Sequence, residues 1–195
     1  SQNPEVFWIT SSPAKPLLLN NPHIDEIILP NEKSKIRNIE FDLVINLEED
    51  KDNTSFASSI NSNKKIGFLI KVEKVFPTPT AKEWFNMSLL GKSPQNNILK
   101  KKNKKTHRQI IGEIVKINWE KYEPFLRLRD NQRRIKSSFL RRYNLSEKDL
   151  IIGINSGAAD RWPKDLPVKM TAKLINEAYN KYNAKILLFG GPNEI

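Results

Sequence analysis

The chain has 195 residues, of which 38% are hydrophobic, 28% charged and 9% aromatic. This composition predicts one or two globular domains and excludes an intrinsically disordered protein. The absence of cysteine excludes disulfides, thiolate metal sites and cysteine nucleophiles, and the formal net charge of +11 indicates an anionic partner.

Neither a membrane span nor a metal site is expected. No stretch approaches the ~20 apolar residues that cross a bilayer, and the first ten residues have no basic region followed by an apolar core. The two histidines, His23 and His107, lie far apart in the sequence, which argues against zinc. We therefore predict no metal and no cofactor.

Strands and helices alternate in the first half of the chain. The segment FDLVINL, 41–47, has a nearly continuous apolar run, which predicts a strand buried on both faces. Proline and glycine interrupt the later residues and separate the predicted elements. In chain order the predicted strands are 6–10, 24–29, 41–47 and 64–69, and the predicted helices are 53–60 and 81–90.

The central residues are rich in lysine and arginine. After a basic run over 100–108, Thr106 is expected to cap a helix whose isoleucines recur at helical spacing. The alternating segment FLRLR, 125–129, predicts a half-exposed strand. The segment 131–145 predicts a basic amphipathic helix, with inward-facing apolar side chains at Ile135, Phe139 and Leu140.

The last third predicts a βαβ unit. Two buried strands, 150–155 and 184–191, flank an amphipathic helix over 168–182. This order predicts a parallel pair of strands. The sequence begins with Ser and ends after a glycine turn with no returning helix, so we expect the middle part of a longer protein.

Two loops follow these last strands, at the strand ends where doubly wound α/β domains bind ligands. In the first, the small residues Ser156, Gly157 and Ala158 allow backbone N–H groups to approach an anion, with Arg161 and Lys164 as cations nearby. Taken alone, such a loop is more often a tight turn, and Trp162 is more often a packing residue than a stacking platform.

The second loop contains Gly190, Gly191 and Glu194. The glycines leave room for a ligand, and a carboxylate at the position of Glu194 can accept hydrogen bonds from ribose hydroxyls. A glutamate there is more often an ordinary charge at a helix start. The order of the two loops is more specific than either loop alone.

The sequence "IIGINSGAADRWPKDLP" followed by "AKILLFGGPNEI" resembles the nucleotide-sugar domain of family 9 glycosyltransferases, the ADP-heptose:lipopolysaccharide heptosyltransferase group. In the first half, "WITSSPAKPLLLNNPHIDEIILP", "FDLVINLEED" and "KKIGF" resemble segments of the same family in the same order. The resemblance covers nearly the whole chain.

The resemblance implies an α/β protein of GT-B type, in which two Rossmann-like domains with parallel sheets face a cleft. Residues 1–130 would belong to the N-terminal acceptor-side domain, and residues 131–195 would begin the C-terminal nucleotide-sugar domain. The implied reaction is inverting, metal-independent transfer of a heptose or related sugar from an ADP-sugar to the lipopolysaccharide core. The implied location is cytoplasmic, peripheral at the inner face of the bacterial inner membrane.

The resemblance also implies site residues. Ser156, Gly157 and Ala158 would meet the donor diphosphate beside Lys164, and Glu194 would meet the adenosine ribose. The segment RWPKDLP is one residue shorter than the family arrangement, so Arg161 and Lys164 can exchange roles. Gly190 and Gly191 complete the predicted donor site.

The resemblance implies that the catalytic base is an Asp in a segment that would precede residue 1, so the catalytic residue is unknown. Glu48, Glu49 and Asp50 follow a strand and can border the acceptor side, with Glu48 and Asp50 as the candidates. A solvated helix start is the commoner role for such acids.

Three alternatives stay open: a different nucleotide-sugar donor, a fold-retaining protein without catalysis, and a basic nucleic-acid-binding module. The basic composition favours the last, but no RNA-binding or helix-turn-helix pattern supports it. The expected partners are therefore a nucleotide sugar, an acidic glycolipid acceptor and an anionic membrane surface, with no nucleic acid.

Overall fold

The computed structural model describes residues 3–88, 95–157 and 166–191. Over these residues the protein is α/β, with small sheets that contain parallel strands. The chain divides into two compact units, Ser1–Arg127 and Leu128–Ile195. The assignment of an acceptor role to one unit and a donor role to the other stays a prediction.

Two small sheets form the first unit. β1 and β2 pair in parallel, β3 and β4 pair in parallel, and β4 forms an antiparallel hairpin with β5. The first four strands confirm the predicted ones, whereas the fifth was not predicted. Their bounds are β1 Phe7–Ile9, β2 Glu26–Ile28, β3 Phe41–Asn46, β4 Ser62–Lys71 and β5 Lys74–Pro77.

Helices connect and cover these strands. The Thr106 hydroxyl accepts from the Gln109 backbone N–H at 3.2 Å, which confirms it as the cap of the fifth helix. The described α-helices of this unit are α1 Lys15–Leu18, α2 Lys51–Ser59, α3 Lys82–Met87, α4 Asn96–Lys102 and α5 His107–Val115, with 3₁₀ turns at Pro30–Ile36, Pro79–Ala81 and Trp119–Lys121.

Two apolar clusters hold the first unit together. In one, β4 contributes Ile66 and Phe68, which pack against Met87 of α3 and against α5. In the other, Ile28 of β2 packs with Ile36 and Ile60. Each such side chain contributes about 1.5–3 kcal/mol when fully buried, so the two clusters fix β2, β4 and the helices around them.

The prediction that β3 is buried on both faces is wrong for the described residues. Val44 packs against the Ile28 cluster, but Leu43 and Ile45 on the opposite face are 42% and 47% exposed. Successive side chains of a strand point to opposite faces. Among the described residues, packing covers one of these faces and leaves Leu43 and Ile45 largely accessible to solvent.

The second unit contains the predicted parallel βαβ arrangement. β6 (Ile151–Asn155) and β7 (Lys185–Phe189) are joined through α7 (Val168–Tyr182) and pair in parallel. Burial is lower than predicted: Ile154 is buried, whereas Leu188 and Phe189 are more than half exposed. The described part of this unit has only a two-stranded sheet, so less packing surface reaches β7.

Two predictions around the division between the units need correction. Residues 125–129 form no strand, because no described strand pairs with them and the alternating pattern alone provides no hydrogen-bond partner. The helix predicted at 131–145 exists as α6 (Asp130–Arg142), but Ile135 is 61% and Phe139 37% exposed. Leu140, the third side chain of the predicted stripe, is half-buried, so the predicted inward orientation is wrong for Ile135 and Phe139 among the described residues.

A close backbone contact joins β3 to β4. Gly67 has a φ of +103°, and a Cβ atom at this position would lie 1.8 Å from the Asn46 carbonyl oxygen. The Thr78 hydroxyl accepts from the Gly67 N–H at 2.9 Å, and the Gly67 carbonyl accepts from the Thr78 N–H at 2.8 Å. Only glycine fits this position without movement of the backbone.

Replacing Gly67 by Ala is expected to destabilise the protein by more than about 2 kcal/mol, because the new methyl group collides with backbone rather than with a flexible side chain. Chemical denaturation measures the change. Lys64→Ala, on an exposed position of the same strand, is the control and is expected to stay within about 0.5 kcal/mol of the wild type. Equal stability of the two variants would contradict the assigned contact.

Candidate functional site

The two predicted donor loops leave the sheet of the second unit at the same edge. β6 and β7 are parallel, and their last residues, Asn155 and Phe189, are paired. Ser156 and Gly157 therefore start one loop, and Gly190 and Gly191 start the other, at the carboxyl ends of neighbouring strands. This is the edge at which open parallel sheets bind ligands.

Hydrogen bonds fix the base of the first loop. The Asn155 side-chain oxygen accepts from the Gly157 N–H at 3.2 Å, and the Ser156 carbonyl accepts from the Leu166 N–H at 2.9 Å. The second bond returns the chain to the sheet edge directly before α7, whose N-cap is Pro167. Leu166, which is bonded to Ser156, lies two residues before the start of α7, so the positive end of the helix dipole begins next to Ser156.

The described residues contain four of the eight predicted donor positions, namely Ser156, Gly157, Gly190 and Gly191. The other four, Ala158, Arg161, Lys164 and Glu194, lie outside the described residues. The structure places the first four residues next to the same edge of the β6–β7 sheet. Their role in donor binding stays a prediction.

On the first unit, a buried amide shapes the end of β3. Asn46 is 7% exposed, and its Nδ2 donates to the Phe68 carbonyl at 2.8 Å and to the Glu48 carbonyl at 3.1 Å. Its Oδ1 accepts from the Glu48 N–H at 3.2 Å. Because both ends of the Asn46 amide are used, the chain turns at a defined point and presents the acidic segment 48–50.

Asp50 is the N-cap of α2. Its carboxylate accepts from the Asn53 backbone N–H and from the Asn53 Nδ2, both at 2.8 Å, and the Lys33 Nζ donates to the Asn53 Oδ1 at 2.9 Å. Burial raises the pKa of Asp50, but the Asn53 hydrogen bonds and the Lys33 charge outweigh it, so the pKa lies below its ordinary value. This capping also explains why α2 begins at Lys51, before the predicted start.

Glu49 differs from its two neighbours. Its side chain is partly buried, and this burial raises the pKa of the carboxyl group above its ordinary value. A hydrogen bond from the Trp84 side chain and the charge of Lys100 oppose the rise, and the charge of Glu48 adds to it. The sequence pointed to the acidic triplet but not to Glu49 within it, because Trp84 and Lys100 belong to distant helices.

The histidines do not assemble a metal centre. His107 packs edge-on against Trp84 with ring centroids 5.3 Å apart, and His23 packs in the same way against Phe125 at 5.9 Å. Over the described ranges, no group of three or more histidine or acidic side chains is placed to hold a metal ion. In the same ranges, every helix is too short or too polar to span a bilayer.

Comparison with solved structures identifies a similar fold. A crystal structure of a glycosyl transferase family 9 protein from Veillonella parvula matches 98% of this chain with a TM-score of 0.61 and 18% sequence identity. The chain spans 55% of the length of that protein. No protein-family model and no curated protein matches the sequence. The fold is therefore similar to that of a family 9 glycosyltransferase.

Replacing Asp50 by Ala is expected to destabilise the protein by about 1 kcal/mol, because α2 loses its N-cap, whereas Asp50→Ser retains an acceptor and most of the stability. Since the pKa of Asp50 is lowered in the folded state, its contribution is present above the ordinary aspartate pKa. The contribution is lost as the pH falls through the lowered value. Denaturation curves at neutral and acidic pH measure both effects, and a pH-independent loss in Asp50→Ala would contradict the charge contribution.

Proposed function

We propose that this chain belongs to an inverting glycosyltransferase that moves a heptose, or a related sugar, from an ADP-sugar to a lipopolysaccharide core acceptor. The observation that carries the proposal is the placement of two small-residue loops at one edge of the parallel β6–β7 pair, in a fold similar to that of a family 9 glycosyltransferase. The sugar and the acceptor come from the sequence resemblance.

The donor diphosphate is proposed to bind between these loops. Ser156 offers a hydroxyl and a backbone N–H group next to the start of α7, where the helix dipole favours negative charge. The Gly157 N–H already donates to the Asn155 Oδ1, and Gly157 contributes a backbone that a ligand can approach closely. The resemblance adds Ala158 to this loop, Arg161 and Lys164 as cations, and Glu194 as the partner of the ribose hydroxyls. Gly190 and Gly191 leave space for the nucleotide.

The proposed chemistry is a direct displacement. A carboxylate base removes the proton of the acceptor hydroxyl, whose oxygen attacks the anomeric carbon opposite the diphosphate. The new glycosidic C–O bond forms as the bond to the diphosphate oxygen breaks, so the configuration inverts and ADP leaves. Backbone N–H groups and cations stabilise the negative charge that develops on the leaving group. We assign no residue of this chain to the role of the base.

The two units are proposed to be parts of the two Rossmann-like domains of a GT-B enzyme, with acceptor binding in the first and donor binding in the second. Other nucleotide sugars are the principal alternative donors, because a fold does not determine the sugar that it binds. A chain that keeps the fold but lacks catalysis is the second alternative, and it predicts ADP-sugar binding without turnover.

Full-length protein is expected to bind ADP-heptose and to transfer the sugar. Gly157→Val is expected to weaken ADP-heptose binding at least about tenfold, because the larger side chain blocks the backbone approach, whereas Ser156→Ala loses one hydrogen bond and about two- to tenfold in affinity. Isothermal titration measures both.

Ser55→Ala, on the exposed side of α2, is the matched control and should bind like the wild type. Tighter binding of a UDP- or GDP-sugar would favour the alternative donors. Absence of both ADP-sugar binding and turnover in the wild type would contradict the proposed function.

Contact with an anionic membrane surface is proposed through α6. Asp130 is the single acid within this helix, whereas six cations lie on it or at its N-cap. Ile135, Phe139 and Tyr143 follow one another at intervals of four residues and are 61%, 37% and 54% exposed. Exposed apolar side chains flanked by basic residues suit a helix that lies in the interfacial region of a bilayer. The six cations are Arg129, Arg133, Arg134, Lys136, Arg141 and Arg142.

Replacing both Arg133 and Arg134 by Gln is expected to weaken binding to phosphatidylglycerol-containing vesicles by about tenfold or more. Each basic residue near the membrane surface contributes about 1 kcal/mol to binding. Vesicle co-sedimentation measures this, with Lys173→Gln/Lys181→Gln on α7 as the charge-matched control. Equal binding of wild type and variant to the vesicles would contradict the membrane contact. Salt-sensitive binding to duplex DNA in preference to vesicles would favour the nucleic-acid alternative.

A further inference from the structure

Two strands of the first unit, β1 and β3, lie on either side of an unpaired gap. Among the described strands, β1 pairs with β2 and β3 pairs with β4, and neither pairs with the other. The Cα atoms of β1 and β3 are mostly more than 8 Å apart, whereas directly paired strands lie about 4.8 Å apart. The two strands nevertheless belong to one layer. Their first residues, Phe7 and Phe41, make an edge-to-face contact at 5.5 Å and pack against the same Ile28 cluster.

The backbone groups that line the gap have no partner in a described strand. The Phe41 N–H donates to the Asn61 carbonyl, and the Thr10 N–H donates to the Ile28 carbonyl, both at 3.0 Å. Because N–H groups alternate in direction along a strand, every second residue of β1 and of β3 points its N–H group into the gap. Unpaired groups of this kind are a template for a further strand. The N–H groups that point into the gap are those of Phe7, Ile9, Asp42 and Val44.

The order of the strands indicates which strand would fill the gap. Across the layer the order is β2, β1, gap, β3 and β4, and both observed pairs are parallel. The common order of a doubly wound sheet is 3-2-1-4-5-6. With β1 to β4 as the second to fifth strands of this order, the gap is the position of the first strand. The strand that fits the gap therefore precedes β1 in the polypeptide.

The exposed face of β3 supports the same position. The helix α2 connects β3 to β4, and its Phe56 packs with Val44 against the Ile28 cluster on one face of the layer. A connection from the gap to β1 runs across the sheet in the opposite direction. Because such crossovers are right-handed, its helix lies on the opposite face. On that face Leu43 and Ile45 are 42% and 47% exposed.

We propose that the gap binds a β-strand of the same polypeptide from outside residues 1–195, and that the helix after this strand covers Leu43 and Ile45. The strand runs parallel to β1 and β3, pairs with both and joins the two small sheets into one. Because it is covered on both faces, it is a nearly continuous run of Val, Ile or Leu. The chain spans 55% of the family 9 structure that it matches, which leaves ample length for such a segment.

Nuclear magnetic resonance of the full-length protein tests this pairing at single residues. The N–H groups of Asp42 and Val44 are expected to exchange with solvent at least about 100-fold more slowly than that of Val72, which lies in the exposed β4–β5 turn. Nuclear Overhauser effects from Asp42 and Val44 N–H are expected to reach residues outside 1–195. Fast exchange at both positions, or Overhauser effects to β1 instead, would overturn the proposal. Effects between labelled and unlabelled molecules would assign the strand to a second copy and would also overturn it.

Substitution of Asp42 gives an independent measurement. Proline at this position removes the N–H group that points into the gap and leaves the N–H groups of the β3–β4 ladder in place. Proline is tolerated at a free sheet edge but not in a central strand. We expect Asp42→Pro to lower the Tm of the full-length protein by at least about 5 °C, and the matched control Asp42→Ala to lower it by less than about 2 °C. Equal, small shifts for the two variants would contradict a central position of β3.

The face of β3 is tested in the same way. Ile45→Ala is expected to lower the Tm by at least about 4 °C, because a covered side chain is truncated, whereas Val72→Ala in the exposed turn is expected to change it by less than about 1 °C. Equal shifts would contradict the covering helix. None of these measurements involves ADP-heptose, so a failure of the proposed function leaves the strand proposal testable and a failure of the strand proposal leaves donor binding untouched.

Discussion

The contact between Asn46 and the strand beside it is the constraint on which the rest of the first unit depends. The Asn46 amide is buried at the end of β3 and donates to the Phe68 carbonyl, while Gly67 brings its backbone against the Asn46 carbonyl. A buried amide without these partners would be costly, so the strand can end in only one register. The acidic segment after β3 is therefore presented at a fixed place.

Three consecutive acids emerge from this junction with different environments. Asp50 caps α2, Glu48 is exposed, and Glu49 is half-buried. Opposite pKa shifts in adjacent carboxyl groups follow from these contacts: hydrogen bonds lower the pKa of Asp50, and burial raises that of Glu49. The tertiary structure thus gives different environments to three acidic residues that are chemically similar and adjacent in the sequence. In the second unit, the parallel pairing of β6 and β7 sets the positions at which the two predicted donor loops begin.

Local patterns in the sequence predicted the first four strands, the Thr106 cap and the βαβ unit, because each depends on residues close together in the chain. The strand predicted at 125–129 does not form, because an alternating apolar and basic pattern does not provide a partner strand. The hairpin between β4 and β5 was missed because Val72 and Glu73, at its turn, adopt positive φ values without glycine or asparagine. An apolar stripe in a helix sequence likewise does not indicate whether another element packs against it. Ile135, on such a stripe of α6, is 61% exposed. The raised pKa of Glu49 follows mainly from its burial, which only the tertiary structure creates.

The central claim is that a nucleotide diphosphate binds at the carboxyl edge of β6 and β7. Hydrogen–deuterium exchange of the full-length protein with and without ADP tests it most directly, because backbone N–H groups are the proposed ligands. The account predicts that ADP slows exchange at 156–157 and 190–191 and leaves the β4–β5 hairpin unchanged. Unchanged exchange in both loops at saturating ADP, or protection confined to the first unit, would contradict it.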